Sequence, residues 1–229
     1  MKTKFIILNL VYLLIVLLVL IGTVTGSDWL NYPVKPFMLI WIALFFLIMT
    51  KPQPYRWLVI LAFFFSWAGD MFLMFGDKSE MWFFAGVGAF FLSQVTYILV
   101  FRKFSIGKGK GFIVRKPIWV LPFLIYLIGV YLFLYPSLEG IMKPVVALYA
   151  ISLIGMSVGA FNRIGLTDRG SCWLLFGGSV FFVISDTLLA FNKFAAPIPN
   201  EGFYVLATYM LAQYWIMMGL LMNGKTVRR

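Results

Sequence analysis

Eight apolar stretches follow one another along this chain of 229 residues, each long enough to form a membrane-spanning helix. About 20 apolar residues in a helix cross the hydrocarbon core of a bilayer. Hydrophobic residues make up 62% of the chain and charged residues 12%. No strand-like alternation is visible, and in lipid only helices and closed barrels satisfy their backbone groups. We therefore expect an all-α, polytopic bundle of about eight transmembrane helices, forming one domain over residues 1–229.

The second of these spans has two possible starting points. It is short if it begins at Lys35, and it reaches full length only by including residues 29–34. The first span resembles a signal peptide, but its apolar stretch is longer than a usual signal core, so we expect it to be retained. The predicted spans are Phe5–Thr25, Lys35–Met49, Trp57–Phe75, Met81–Phe101, Pro117–Tyr135, Ile141–Phe161, Ser171–Phe191 and Phe203–Asn223.

Basic residues between the spans predict the orientation of the chain. With the N-terminus inside, the inner segments hold 15 of the 19 lysines and arginines and the outer segments hold 4. This asymmetry obeys the positive-inside rule and predicts that both termini are cytoplasmic. The net charge of +11 is then a topology signal facing anionic lipid rather than a sign of nucleic-acid binding. We expect the segment 102–116 to be a solvated cytoplasmic loop that touches lipid headgroups.

Two aspartates interrupt the apolar spans. Asp70 lies in the third span and Asp186 in the seventh, whereas the other six acidic residues fall near span ends. A charged side chain in hydrocarbon costs about 2.5 to 3.5 kcal/mol on insertion scales, so an intramembrane carboxyl is a candidate functional group. The alternative is a structural role, in which a protonated or hydrogen-bonded aspartate ties helices together.

The spacing of the two aspartates predicts a common depth. Asp70 lies seven residues before Asp77, and Asp186 lies seven before Lys193, each the first outer charge that follows. Because the two spans run in the same direction, both carboxyls are expected about 10 Å below the outer charges. Polar side chains share helix faces with them or occur in the neighbouring spans, which makes them candidate substrate-binding groups: Ser66, Gln94, Tyr97, Tyr209 and Gln213.

The residue inventory excludes several kinds of chemistry. There is no histidine, which excludes histidine-based zinc sites and Ser-His-Asp or Cys-His catalysis within this chain. The sequence contains no nucleophile elbow, P-loop or dinucleotide fingerprint. We expect no cofactor and no metal. A pair of carboxyls in an apolar pocket can act as acid and base, can relay protons in a coupled transporter, or can belong to a non-catalytic lipid-binding protein.

Several short motifs, in order along most of the chain, resemble the YhhN family, the lysoplasmalogenases. Ser66, Gly69 and Asp70 match its S-x-x-G-D, and Ser185-Asp186 begins a match to S-D-x-x-L-A. Weaker matches are Lys35-Pro36, the segment Gly86 to Tyr97, and Ala212-Gln213. Gln94 stands where the family segment has a histidine, and a glutamine can form hydrogen bonds but cannot shuttle a proton.

This resemblance implies a hydrolase that cleaves the vinyl ether bond of lysoplasmalogens. The products are a fatty aldehyde and a glycerophospho-ethanolamine or -choline. Asp70 and Asp186 are the expected catalytic pair, and the apolar residues around Asp186 favour it slightly as the acid. Lys35 is expected to bind the substrate phosphate. The expected partners are a lysophospholipid within the bilayer and membrane lipids, and the sequence indicates no protein partner.

Overall fold

The computed structural model describes residues 2–103 and 109–226, and all regular structure within them is helical. Lys108, Arg228 and Arg229, which contribute to the predicted charge asymmetry, lie outside these residues. Short 3₁₀ turns lie at Pro117–Val120 and Tyr135–Ser137, on either side of the sixth α-helix. The α-helices are α1 Lys2–Thr25, α2 Asp28–Met49, α3 Arg56–Leu73, α4 Glu80–Lys103, α5 Phe112–Arg115, α6 Leu121–Leu134, α7 Met142–Phe161, α8 Arg169–Phe194 and α9 Glu201–Thr226.

Seven helical segments in the described part of the chain are long and apolar enough to cross a membrane. The remaining predicted span, the second, corresponds to α2, which has 22 residues but whose apolar part is the shorter stretch Pro33–Met49. Large apolar side chains remain exposed along these helices, as expected where lipid replaces water. The chain is therefore a polytopic helical membrane protein. The cytoplasmic placement of both termini stays a prediction.

The second helix begins earlier than the start expected at Lys35. It starts at Asp28, so that Lys35 lies in its third turn, between Pro33 and Pro36. Each proline lacks the N–H that would bond the carbonyl four residues earlier, and the ring distorts the turn. The residues before Lys35 therefore extend the span, and its lysine lies within the helix rather than at its end.

The chain packs as two compact units, Met1–Thr96 and Tyr97–Arg229. In the first unit α2 packs against both α1 and α3. The Trp41 indole N–H donates to the Leu8 carbonyl at 3.1 Å, and the rings of Phe46 and Phe63 pack edge to face. These contacts fix the helix that carries Asp70. That the two units form a single domain stays a prediction.

In the second unit α8 and α9 form the most extensive helix pair. A Cβ atom built on Gly178 would lie 2.9 Å from the Ala212 carbonyl oxygen, so only glycine permits this approach of the two backbones. The Ser171 hydroxyl donates to the Gly219 carbonyl at 2.7 Å, and the Ser185 hydroxyl donates to the Val205 carbonyl at 2.9 Å. This close packing holds the helix that carries Asp186.

The segment 109–116 is more ordered than the solvated loop that the sequence predicts. It contains the short helix α5, and the buried side chain of Ile113 packs beneath it. The backbone N–H of Phe112 donates to the Asn162 carbonyl at 3.1 Å, and that of Ile113 donates to the Asn162 side-chain oxygen at 3.0 Å. The apolar side chains of α5 provide the burial that a glycine- and lysine-rich loop would lack.

Arg163, counted above among the inner basic residues, is a buried cation. It is 2% exposed, and its guanidinium donates to the Phe101 carbonyl in the last turn of α4. Burial lowers the pKa of the Arg163 guanidinium to about 10, against the opposing effect of Cys172. A cation near the C-terminal carbonyls of a helix is favoured by the helix dipole.

Candidate active site

Asp186 lies about two turns before the end of α8 and is half-buried. Its Oδ2 accepts a hydrogen bond from the phenol of Tyr149, on α7, at 2.6 Å. The short distance is typical of an O–H donor bound to a carboxylate. This bond ties the carboxyl to a second helix and restricts its rotation.

Tyr149 is the functional candidate that the sequence reasoning missed. It lies well inside α7, two turns from the start of that helix. Tyrosines are common in membrane helices, and most of them are found near the bilayer interfaces. The signal that could have revealed it was its depth, because a phenol placed far from a span end needs a hydrogen-bond partner.

Two predicted substrate-binding residues meet in the second unit. The phenol of Tyr97 donates to Gln213 Oε1 at 2.6 Å, and both side chains are fully buried. Tyr209, one turn before Gln213 on α9, packs its ring edge to face against Phe182 at 5.5 Å. The sequence pattern therefore identified residues that lie together, although all three are enclosed by neighbouring side chains.

The surroundings of Asp70 are different. It lies in the last turn of α3 and is half-buried. Ser66, one turn earlier, is fully buried, and its hydroxyl lies 2.6 Å from that of Ser93 on α4. The Ser93 hydroxyl in turn donates to the Ala62 carbonyl at 3.0 Å. The role of Ser66 in substrate binding stays a prediction. Its hydrogen bond with Ser93 joins α3 to α4.

The remaining predicted site residues lie in the first unit. Gln94 is fully buried, one turn before Tyr97 on the same face of α4. Lys35 is partly exposed near the start of α2. The expected common depth of the two aspartates stays a prediction: Asp70 lies three residues from the end of its helix, whereas Asp186 lies eight from the end of α8.

An apolar cavity of about 680 Å³ lies between α5, α6, α7 and α8. Along α8 its lining extends from Trp173 to Val183 and Ile184, within one helical turn of Asp186. Tyr126 lines the cavity, and its phenol lies 2.7 Å from the hydroxyl of Thr187. The cavity is within the usual size range of ligand pockets, about 300 to 1,000 Å³.

Comparison with known proteins identifies relatives over most of the chain. It is 29% identical over 204 residues to the lysoplasmalogenase TMEM86A of Bos taurus, covering 84% of this chain and 78% of the relative. The identity to human TMEM86A is also 29%, with 82% of this chain and 77% of the relative covered. Human lysoplasmalogenase TMEM86B is 31% identical, over 64% of this chain and 58% of its own length. No solved structure matches the chain.

The sequence profile of the YhhN family matches residues 30–220, which include both intramembrane aspartates and seven of the eight predicted spans in full or nearly so. The matched range contains the short motifs around Lys35, Asp70, Asp186 and Gln213. This chain, an integral multi-pass membrane protein, belongs to the YhhN family.

Proposed function

We propose that this protein is a membrane lysoplasmalogenase, which hydrolyses the vinyl ether bond of a lysoplasmalogen. The observation that carries the proposal is the similarity to proteins named lysoplasmalogenase over more than four-fifths of the chain. The fold supports this proposal, because Asp70 and Asp186 lie on helices that can span the membrane in which a lipid substrate is dissolved.

The reaction requires a proton donor and a positioned water molecule. A proton adds to the alkenyl carbon beta to the ether oxygen and leaves an oxocarbenium ion. Water adds to this cation and gives a hemiacetal, which collapses to the fatty aldehyde and the glycerol hydroxyl. Glycosidases meet a related demand with two carboxyl groups in different environments. In our proposal Asp70 and Asp186 supply these groups, one as acid and the other as base.

Tyr149 has a positioning role in this scheme. Its hydrogen bond to Asp186 Oδ2 holds the carboxyl in one orientation before the reaction begins. The loss of side-chain freedom therefore does not add to the barrier for proton transfer. The phenol touches the catalytic carboxyl rather than the reacting bond. Its removal should therefore slow turnover without abolishing it.

Lys35 is proposed to bind the substrate phosphate. Lys35 lies in the third turn of α2, and its ammonium group can reach the headgroup region by extending its aliphatic stem. Tyr97, Tyr209, Gln94, Gln213 and Ser66 remain proposed substrate-binding groups. For the buried Tyr97–Gln213 pair, substrate binding would require this hydrogen bond to open.

The test is hydrolysis by the purified full-length protein in lipid nanodiscs. Three lysophospholipids with the same headgroup are compared: the alkenyl ether, the saturated alkyl ether and the acyl ester. We expect aldehyde release from the alkenyl ether and no cleavage of the alkyl ether, which has no double bond to protonate. The rate should fall in heavy water, because proton transfer to carbon limits the reaction. Absence of aldehyde, together with proton-coupled flux in proteoliposomes, would indicate a transporter instead.

A further inference from the structure

We infer that the apolar cavity between α5, α6, α7 and α8 binds the hydrocarbon chain of the lysoplasmalogen substrate, an inference that rests on the proposed function. The cavity lies entirely within the second unit, as do Asp186 and Tyr149. A vinyl ether bond joins the headgroup side of the lipid to its chain. A carboxyl that acts on this bond must therefore lie at one end of the site that holds the chain.

The chemistry of the lining fits a hydrocarbon ligand. Phe123, Phe161 and Phe176 form its aromatic wall, and Val180 and Ile184 contribute branched aliphatic side chains. No charged side chain is among the described residues that line it. A ligand with polar groups would lose its hydrogen bonds with water on entering such a cavity, whereas a hydrocarbon chain loses none.

The length and direction of the cavity also fit. From Ile184 back to Trp173 its lining follows α8 for about 16 Å, at about 1.5 Å of rise per residue. The hydrocarbon core of a bilayer is about 30 Å thick, so the chains of one leaflet occupy about 15 Å. The end lined by Ile184 lies next to Asp186, and the other end is lined by the aromatic groups of Trp119, Phe112 and Phe161, which contact one another.

The bond between Tyr126 and Thr187 marks the end of the cavity nearest to Asp186. Thr187 directly follows Asp186, and its hydroxyl donates to the Val183 carbonyl at 2.7 Å, so the Tyr126 phenol is the donor to Thr187. A chain that enters from this end passes Ile184 first and Val180 next, and it reaches Phe176 and Phe161 only if it is long. This order predicts which substitution discriminates between short and long substrates.

The experiment measures kcat/KM of the full-length protein for lysoplasmalogens with hexenyl and octadecenyl chains, because only the longer chain extends past Val180. Val180→Phe fills the middle of the cavity, so it should lower kcat/KM for the long chain by about tenfold relative to the short chain, within the usual range for hydrophobic pockets. Ile128→Phe is the matched control, because Ile128 on α6 is 54% exposed and lies outside the lining. It should leave the ratio unchanged.

A second measurement locates the chain directly. A lysoplasmalogen with a diazirine at the end of its octadecenyl chain should label peptides that contain Phe161 or Phe176, and unlabelled lysoplasmalogen should compete. If wild type cleaves both substrates but Val180→Phe leaves their ratio unchanged and the label falls elsewhere, the inference is wrong while the proposed function stands. Equal labelling by a diacyl phosphatidylcholine probe that lysoplasmalogen does not displace would show a structural bilayer lipid and would also overturn it.

The two proposals fail in different ways. If the wild-type protein cleaves neither substrate, the proposed function is wrong. The diazirine labelling by the uncleaved lysolipid then tests by itself whether the cavity binds the hydrocarbon chain. If Val180→Phe does not yield folded protein, Val180→Ala replaces it. Val180→Ala widens the cavity at the same position, so kcat/KM for the long chain should rise relative to the short chain. An unchanged ratio of the two kcat/KM values in this variant would count against the inference.

Discussion

Asp70 and Asp186 look alike in the sequence, but their surroundings in the structure differ. Asp186 lies inside α8, which is packed closely against α9, and a tyrosine from α7 binds its carboxyl. Asp70 lies in the last turn of α3, where the polar contact one turn away is a bond between two serines. The Asp186 carboxyl is therefore held by a second helix, whereas the turn before Asp70 is tied to α4 through Ser66.

The largest effect should come from removing either carboxyl. Asp70→Asn and Asp186→Asn keep the size of the side chain and remove its proton chemistry. Each should lower kcat by roughly 100-fold or more, the scale of general acid–base catalysis. The measurement is aldehyde release by protein that elutes as a single species in size-exclusion chromatography.

The double variant sharpens this comparison. Residues that act as a unit are not additive, so the double variant should be little slower than either single variant. If one of the two single variants is folded and retains normal turnover, that aspartate is structural, and the paired mechanism is wrong.

Tyr149→Phe should have the next largest effect. It removes the phenol hydrogen bond to Asp186, and a hydrogen bond contributes about 0.5 to 1.5 kcal/mol net. We expect kcat to fall by about tenfold with KM little changed. Tyr131→Phe is the control, because its phenol donates to the Lys143 carbonyl at 3.3 Å and not to a site residue. An equal loss in both variants would assign the effect to general packing.

Lys35→Ala should act mainly on binding. The proposed phosphate contact is common to ground and transition states, so KM should rise several-fold more than kcat falls. Lys78→Ala is the control within the same unit, because Lys78 is exposed and its ammonium lies 5.0 Å from the centre of the Phe75 ring. Unchanged kinetics for Lys35→Ala would leave it as a lysine in contact with lipid headgroups.

The smallest effects concern stability rather than turnover. Gly178→Ala places a methyl group against the backbone of α9 and should destabilise the protein by about 1 to 3 kcal/mol. Gly69→Ala meets the ring of Phe90, a side chain that can shift, and should cost less. Gly88→Ala meets no atom within 4 Å and should be neutral. Thermal unfolding of the three variants checks this order. Equal losses of stability for Gly178→Ala and Gly69→Ala would show that the α8–α9 and α3–α4 contacts tolerate an added methyl group equally well.

The sequence alone determined the architecture and the residues that stand out within it. Apolar segments of this length must be helices in lipid, so the spans followed from hydropathy, with errors only at their ends. A carboxyl inside such a segment is costly wherever the helix packs, which is why Asp70 and Asp186 could be identified without a structure. The YhhN family assignment depended on the same local patterns, and the profile match confirms it.

Only the tertiary structure decided which side chains meet. Tyr149 and Asp186 are 37 residues apart, and Tyr97 and Gln213 are 116 apart, so no local pattern connects either pair. The cavity is likewise formed by side chains of several helices, and the burial of Arg163 depends on the end of α4 packing against the connection between α7 and α8. Helical periodicity fixes the face on which a residue lies, whereas its partner depends on how the helices are rotated and packed against one another.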